Sequence, residues 1–133
     1  MAQVDENGLP ISLSLHEASA HEVTLAFGLV IGCWTRQMPG IVVGDKAYDS
    51  DPLDDELGAC GVEVVAPHRK NRKKPPTQDE EGMASYKGRW KVERFFAWLQ
   101  RFRRLVVRYE RKAANFLGFV QLAAIVMHVR YRY

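Results

Sequence analysis

The chain has 133 residues, of which 47% are hydrophobic and 26% charged, so it has the size and composition of one globular domain. These proportions exclude an intrinsically disordered or fibrous protein. The first ten residues have neither a basic nor an apolar stretch, so no signal peptide is expected there. The most apolar run, residues 116–129, is shorter than the roughly 20 residues that span a bilayer, which predicts a buried helix and no membrane contact. Cys33 and Cys60 lack metal or redox spacing; they are expected to be free thiols in a reducing cytoplasm, and a single disulfide between them is the alternative.

The net charge of +3 hides an uneven distribution along the chain. Residues 1–66 contain eleven acids and two bases, whereas residues 67–133 contain seventeen bases and five acids. Aromatic residues are interleaved with the bases between Tyr86 and Tyr109. The second half is therefore expected to bind a polyanion such as nucleic acid. The alternative is a basic face that only contacts solvent.

The first half predicts strands and helices in alternation. Asn7-Gly8 favours a tight turn between two short strands, and a helix is expected from about Ser19. The β-branched run that precedes Asp45 predicts a buried strand, and "VEVVAP" predicts another. Between these strands, Pro52 near the start of an acidic segment predicts a crossover helix. A strand–helix–strand connection implies a parallel pair, and hence an α/β layer fold.

The second half begins with a basic loop and continues as helix. Residues 68–82 contain five bases in their first seven positions and no apolar periodicity, which predicts an exposed, mobile loop. Residues 84–109 and 112–130 predict two final helices. On a helical wheel, the core face of the first of these contains Val92, Phe95, Leu99, Phe102 and Val106. Glu93 lies on the opposite stripe, together with Tyr86, Arg89, Ala97, Gln100 and Arg104.

An acid in the middle of a basic stripe has two interpretations. Glu93 can form a surface ion pair with Arg89 one turn earlier, worth a few tenths of a kcal/mol. Alternatively, it can hold a metal ion while the surrounding bases bind phosphates. Asp45 supports the second interpretation, because it ends a predicted strand where α/β folds place their ligand sites. Enzymes that cleave and transfer nucleic-acid strands use carboxylates to hold two divalent ions about 3.5–4 Å apart, so we expect Asp45 and Glu93 to lie close together.

Two segments carry a family resemblance. "VVGDKAYDSD" (42–51) and "YKGRWKVERFFAWLQRFRRLVVRYER" (86–111) resemble the DDE transposases of bacterial insertion sequences, above all the group related to insertion sequences four and five. The resemblance covers nearly the whole chain and implies an α/β, RNase H-like (retroviral-integrase-like) fold over residues 1–133. In that fold the chain would be N-terminally truncated and would end in two α-helices.

The same resemblance implies roles for individual residues. Asp45 and Glu93 match the second and third catalytic carboxylates, which bind Mg²⁺ or Mn²⁺, with two ions in the complete site. Position 100 is glutamine where the family has lysine, and Glu22 stands where the family has aspartate. The implied DNA contacts are Tyr86, Arg89, Gln100 and Arg104 on the helix, and Arg69, Lys70, Arg72, Lys73 and Lys74 in the basic loop.

The first catalytic aspartate of the family lies on a strand that precedes the hairpin. Asp5 lies in the hairpin turn and does not match it, so we expect the chain to be inactive until an upstream segment or a partner chain supplies that residue. The chain would then be a transposase fragment, or the downstream reading frame of a two-frame element. The alternative is a non-catalytic DNA-binding remnant. The implied partners are transposon-end and target DNA and a second copy of the chain, in the cytoplasm at the nucleoid.

Overall fold

The computed structural model describes residues 1–73, 75, 78 and 80–131, in which short strands alternate with helices. The strands are β1 (Ala2–Val4), β2 (Pro10–Leu13), β3 (Ile41–Val43) and β4 (Glu63–Val65). The α-helices are α1 (Glu22–Ile31), α2 (Asp51–Gly58), α3 (Glu80–Ser85), α4 (Trp90–Leu99), α5 (Arg103–Val106) and α6 (Ala113–Tyr131). Single turns of 3-10 helix cover Lys46–Tyr48 and Tyr86–Gly88. The fold is thus mixed α/β, as the sequence predicts.

The strands form two small sheets within the described residues. β1 and β2 make the predicted antiparallel hairpin, with Ala2 opposite Leu13. Gly8 takes a left-handed φ of 81° in the turn, which glycine adopts without steric cost. β3 and β4 pair in parallel, with Val42 opposite Val64, and α2 is the crossover. The predicted hairpin and parallel pair are therefore both confirmed.

Two groups of buried side chains hold these sheets in place. The first lies between the parallel pair and helices α1 and α2, and its buried members are Ala26, Val30, Leu53, Leu57, Val62 and Val64. The second joins the hairpin to α4 and α6 through Leu9, Phe95 and Met127. Helix α1 also contacts β1 and β2, so it links the two groups.

The helix predicted over residues 84–109 is broken. Phe102 has extended backbone angles, φ −93° and ψ 102°, between α4 and α5. No glycine or proline marks this break in the sequence, but Phe102 packs against the second core group. Tertiary packing therefore overrides helix propensity here. Because the axis changes, Val106 is 60% exposed and does not belong to the expected core face.

Helix α6 was expected to be buried, and the structure buries only part of it. Ala123, Ala124 and Met127 face the interior, whereas Leu122, Ile125 and Val129 are exposed. Its length and composition would suffice to cross a membrane, but the core helices of many proteins meet the same criteria. These properties are therefore weak evidence for membrane contact.

Candidate functional site

Asp45 stands at the start of a tight turn directly after β3. Its Oδ1 accepts a hydrogen bond of 2.7 Å from the Ala47 N–H and so caps the 3-10 turn. The other carboxylate oxygen accepts no hydrogen bond from the described residues, and the side chain is exposed. Gly44 allows this turn, since a Cβ there would lie 2.8 Å from the ring of Tyr48. The fold thus presents one carboxylate oxygen to solvent from a closely packed turn.

Tyr48 connects this turn to the start of α1. Its hydroxyl donates to Glu22 Oε2 over 3.3 Å. Burial, followed by the charge of Glu22 and this hydrogen bond, raises the pKa of Tyr48 to about 12, and the charge of Asp45 adds to the effect. Tyr48 therefore remains a protonated donor at neutral pH between two carboxylates. The sequence singles out Glu22 but assigns no role to Tyr48. The only sign of such a role in the sequence is that Tyr48 follows Asp45 by three residues, in the same turn.

Glu93 projects from the first turn of α4. Its Oε1 accepts from Arg89 Nη1 over 2.9 Å, and the two side chains are 65% and 49% exposed respectively. The guanidinium of Arg89 also lies 5.4 Å from the ring centroid of Tyr86. The structure thus brings together the three helix residues that the sequence singles out, in an exposed chain of contacts.

The bases of the loop differ in their contacts, although Arg69 is exposed like Lys70 and Lys73 and only Arg72 is largely buried. Arg69 and Arg72 bond to the polypeptide between positions 46 and 51, and only 10% of the Arg72 side chain is exposed. Lys70 and Lys73 are exposed, as the sequence predicts for the loop. Lys74 lies outside the described residues. Arg72 departs from the expected exposure because two aspartates of the first half bind its guanidinium.

Two other predicted DNA contacts lie near the end of α4. Gln100 is exposed and lines an apolar cavity of about 270 Å³ together with Phe96, Leu105 and Phe116, among others. Arg104 forms an ion pair of 3.0 Å with Glu110, and its guanidinium lies 4.8 Å from the ring centroid of Phe119. Arg104 is nevertheless 62% exposed, so one face of its side chain remains open to solvent.

The carboxylates of Asp45 and Glu93 are of the chemical type that binds magnesium, but two carboxylates are fewer than the complete site would contain. Mg²⁺ prefers hard oxygen ligands, and both Asp45 and Glu93 have one oxygen outside the hydrogen bonds of the described residues. The two residues stand on different elements, and no hydrogen bond in the described part of the chain connects them. The described residues contain no group of three or more His, Cys, Asp or Glu side chains that could hold a metal ion. The proximity of Asp45 and Glu93 therefore stays a prediction.

Comparison with known proteins identifies the family. The family model for the transposase DDE domain matches residues 1–127.

The chain belongs to the DDE transposase family.

Two relatives are named as transposases of insertion sequence elements. Over 131 residues the chain is 32% identical to the transposase named for insertion sequence element IS402 of Burkholderia cepacia. This alignment covers 92% of the chain and 58% of that relative. The chain is 33% identical over 131 residues to the transposase named for IS6501 of Brucella ovis, an alignment that covers 97% of this chain and 95% of the relative. The chain thus spans little more than half of the first relative and nearly all of the second. No solved structure matches it significantly.

Proposed function

We propose that this DDE transposase chain takes part in the cleavage and transfer of DNA strands during transposition of an insertion sequence, in the cytoplasm at the nucleoid. Family membership and the names of its relatives support this proposal. The observation that carries it is the placement of Asp45 and Glu93. Both are exposed acids with one oxygen outside the hydrogen bonds of the described residues, in a chain whose second half is strongly basic.

The acids and the bases of the site would have different tasks. Asp45 and Glu93 would hold Mg²⁺ or Mn²⁺, which when bound polarises the phosphodiester and activates the attacking hydroxyl. Arg89 occupies one oxygen of Glu93, so it would orient that carboxylate. Its charge and those of the neighbouring exposed bases would attract the DNA backbone without reading the base sequence.

We propose that the active form also contains a strand from an upstream segment or from a partner chain. In the described residues β1 pairs with β2 and β3 pairs with β4, so β1 and β3 each have an unpaired side. A strand between them would join the two sheets into one RNase H-like sheet and would bring the family's first catalytic aspartate beside Asp45. Helix α1 supports this arrangement, because it already contacts the hairpin and the first core group. A homo-oligomer is a further prediction for the completed enzyme.

The experiment compares the chain alone with a fusion to the segment encoded directly upstream, using transposon-end DNA and Mg²⁺ or Mn²⁺. We expect no cleavage by the chain alone and cleavage with strand transfer by the fusion. In the fusion, Asp45→Asn or Glu93→Gln should abolish chemistry and retain DNA binding, because each change removes metal-holding charge without removing a base. Glu56→Gln, at an exposed position of α2, is the matched control.

Two outcomes would contradict this proposal. Efficient cleavage by residues 1–133 alone would show that no further carboxylate is needed. Full activity of the Glu93→Gln fusion would reduce that glutamate to a surface partner of Arg89.

A further inference from the structure

A group of charged residues around the buried carboxylate of Asp49 joins the basic loop to the turn that carries Asp45. Asp49 directly follows this turn, and its side chain is 3% exposed. Its carboxylate accepts hydrogen bonds from His68 Nδ1 at 3.0 Å, from the Arg69 N–H at 2.8 Å and from Arg72 Nη1 at 2.5 Å. Arg72 Nη2 donates to Asp51 at 2.8 Å. We name Asp49, His68, Arg69 and Arg72 the Asp49 clamp.

The side chain of Arg69 extends the clamp to the turn itself. Its Nε donates to the Lys46 carbonyl over 3.1 Å and its Nη2 to the Ala47 carbonyl over 2.6 Å. These carbonyls belong to the two residues that follow Asp45. The Ala47 N–H in turn binds the Asp45 carboxylate. One arginine of the loop therefore fixes the peptide groups against which Asp45 is oriented.

Arg72 is poorly placed to bind phosphate, and the guanidinium of exposed Arg69 already donates to two backbone carbonyls. Both terminal nitrogens of the Arg72 guanidinium already bond to carboxylates, Nη1 to Asp49 and Nη2 to Asp51. A phosphate would have to displace these carboxylates to bind the same two nitrogens. If Arg72 swung out to DNA, buried Asp49 would keep only the His68 ring and the Arg69 N–H as partners, and the loss of its ion pair with the guanidinium is unfavourable. Lys70 and Lys73 are exposed, and moving them leaves the clamp intact.

We propose that the bases of this loop have two different tasks, according to whether they bond to the chain itself. Asp49, Arg69 and Arg72 are positioning residues that hold the turn carrying Asp45, and Lys70 and Lys73 contact DNA phosphates. The phosphate contacts rest on the proposed function, whereas the positioning of Asp45 follows from the contacts within the chain. DNA bound by Lys70 and Lys73 is thereby connected, through one short loop, to the turn that carries Asp45.

The experiment measures two quantities on the 133-residue chain. The first is the slope of log affinity against log salt for a DNA duplex, and the second is the hydrogen-exchange protection of the Ala47 amide by NMR. Replacing Lys70 and Lys73 with alanine should flatten the slope by about two, at about 0.9 per phosphate contact, and leave Ala47 protected. Replacing Arg69 and Arg72 with alanine should leave the slope unchanged and remove the protection of Ala47.

A milder variant covers the case in which the double arginine change unfolds the chain. Asp49→Asn keeps an acceptor for the Arg69 N–H and removes the charge that holds Arg72, so it should lower the protection of Ala47 with every base of the loop still present. Arg72→Lys keeps the positive charge but cannot bond to Asp49 and Asp51 through two nitrogens, and it should also lower the protection of the Ala47 amide.

The outcomes separate the clamp from DNA binding. The clamp is refuted if the arginine variants flatten the salt slope as much as the lysine variants and leave Ala47 protected. If the unmodified chain does not bind DNA, the proposed function fails, and the protection of Ala47 then tests the clamp by itself.

Discussion

Glu93 and Asp49 are both charged, but one side chain is largely exposed and the other is buried in the fold. Glu93 is 65% exposed and pairs with Arg89 across one helical turn, a contact that solvent screens strongly. Asp49 is 3% exposed and bonds to three donors of the basic loop. The first is therefore expected to matter for chemistry and hardly for folding, whereas the second should matter for folding directly.

We expect Glu93→Gln to change the free energy of unfolding by less than about 0.5 kcal/mol, because exposed ion pairs contribute little. Urea denaturation of the two proteins at neutral pH measures the difference. A loss of more than about 1 kcal/mol would show that Glu93 has a structural role.

Asp49 should make stability depend on acid pH. Burial by itself would raise the pKa of Asp49, but the Arg69 N–H, the His68 ring and the charge of Arg72 together lower it below its usual value. A carboxylate with a lowered folded-state pKa stabilises the protein above its unfolded pKa of 3.8, and this contribution is lost as the pH falls through the folded-state value. Asp49→Asn should therefore be less stable at neutral pH and lose less stability on acidification. Urea denaturation between pH 6 and about 3 measures this, with exposed Asp55→Asn as the control.

Tyr48 should respond at the opposite end of the pH scale. Its folded-state pKa of about 12 lies above the ordinary 10.0, so its contribution to stability is present below pH 10.0 and is lost as the pH rises towards 12. Tyrosinate absorbance, taken as the difference from Tyr48→Phe, should show this late titration. Glu22→Gln should lower the midpoint because it removes a nearby negative charge. An unchanged midpoint in that variant would show that Glu22 does not contribute to the raised pKa.

At the scale of elements, local signals predicted the structure where the contacts are local. Asn7-Gly8 predicted the hairpin, and two β-branched runs around an acidic helix predicted the parallel pair. The break at Phe102 had no such signal, because its cause is packing against residues far away in the sequence.

The candidate site divides in the same way. Glu93, Arg89 and Tyr86 are neighbours on consecutive helical turns, so spacing was enough to place them together. Arg72 and Lys73 are adjacent and chemically alike in the sequence, yet they differ in burial. The difference comes from Asp49, which lies 23 residues before Arg72 and meets it only in the folded chain.

The hairpin turn gives a test at this scale. Gly8 has φ 81°, and an added Cβ would collide with the guanidinium of Arg94, which donates to the Asn7 carbonyl. We expect Gly8→Ala to cost about 1–2 kcal/mol for the left-handed conformation, with a further loss from displacing Arg94. Gly28→Ala, in α1 with no atom within 4 Å of the added Cβ, should instead stabilise the chain by up to about 1 kcal/mol. Thermal denaturation of both variants measures this contrast, and equal losses would contradict it.

At the scale of the whole molecule, the acidic and basic halves meet inside the fold. Arg72 bonds to Asp49 and Asp51, so part of the positive charge of the second half is neutralised within the chain. Less of the positive charge of the second half is therefore exposed than the sequence alone suggests. The two core groups also depend on different parts of the chain, since the first uses residues 26–64 and the second needs Met127 of α6.

Removing α6 should separate these two regions. In a chain that ends at residue 112, the hairpin loses Met127 and the contact of 2.7 Å between His128 Nε2 and the Pro10 carbonyl. We expect the amides of β2 to lose hydrogen-exchange protection while those of β3 and β4 retain part of theirs, because their partners lie close in sequence. Simultaneous loss of protection in both sheets would show that the domain unfolds as one cooperative unit.

The contact between His128 and Pro10 spans 118 positions of the sequence, which has a consequence for the order of events at the ribosome. At roughly 5–20 residues per second, the N-terminal hairpin emerges many seconds before the helix that covers it has been synthesised. The parallel pair and the helices α1 and α2 that cover it lie within residues 22–65 and can assemble during that interval. We therefore expect the hydrogen-bonding edges of the nascent hairpin to stay exposed during this time, so that a strand synthesised earlier can pair with them.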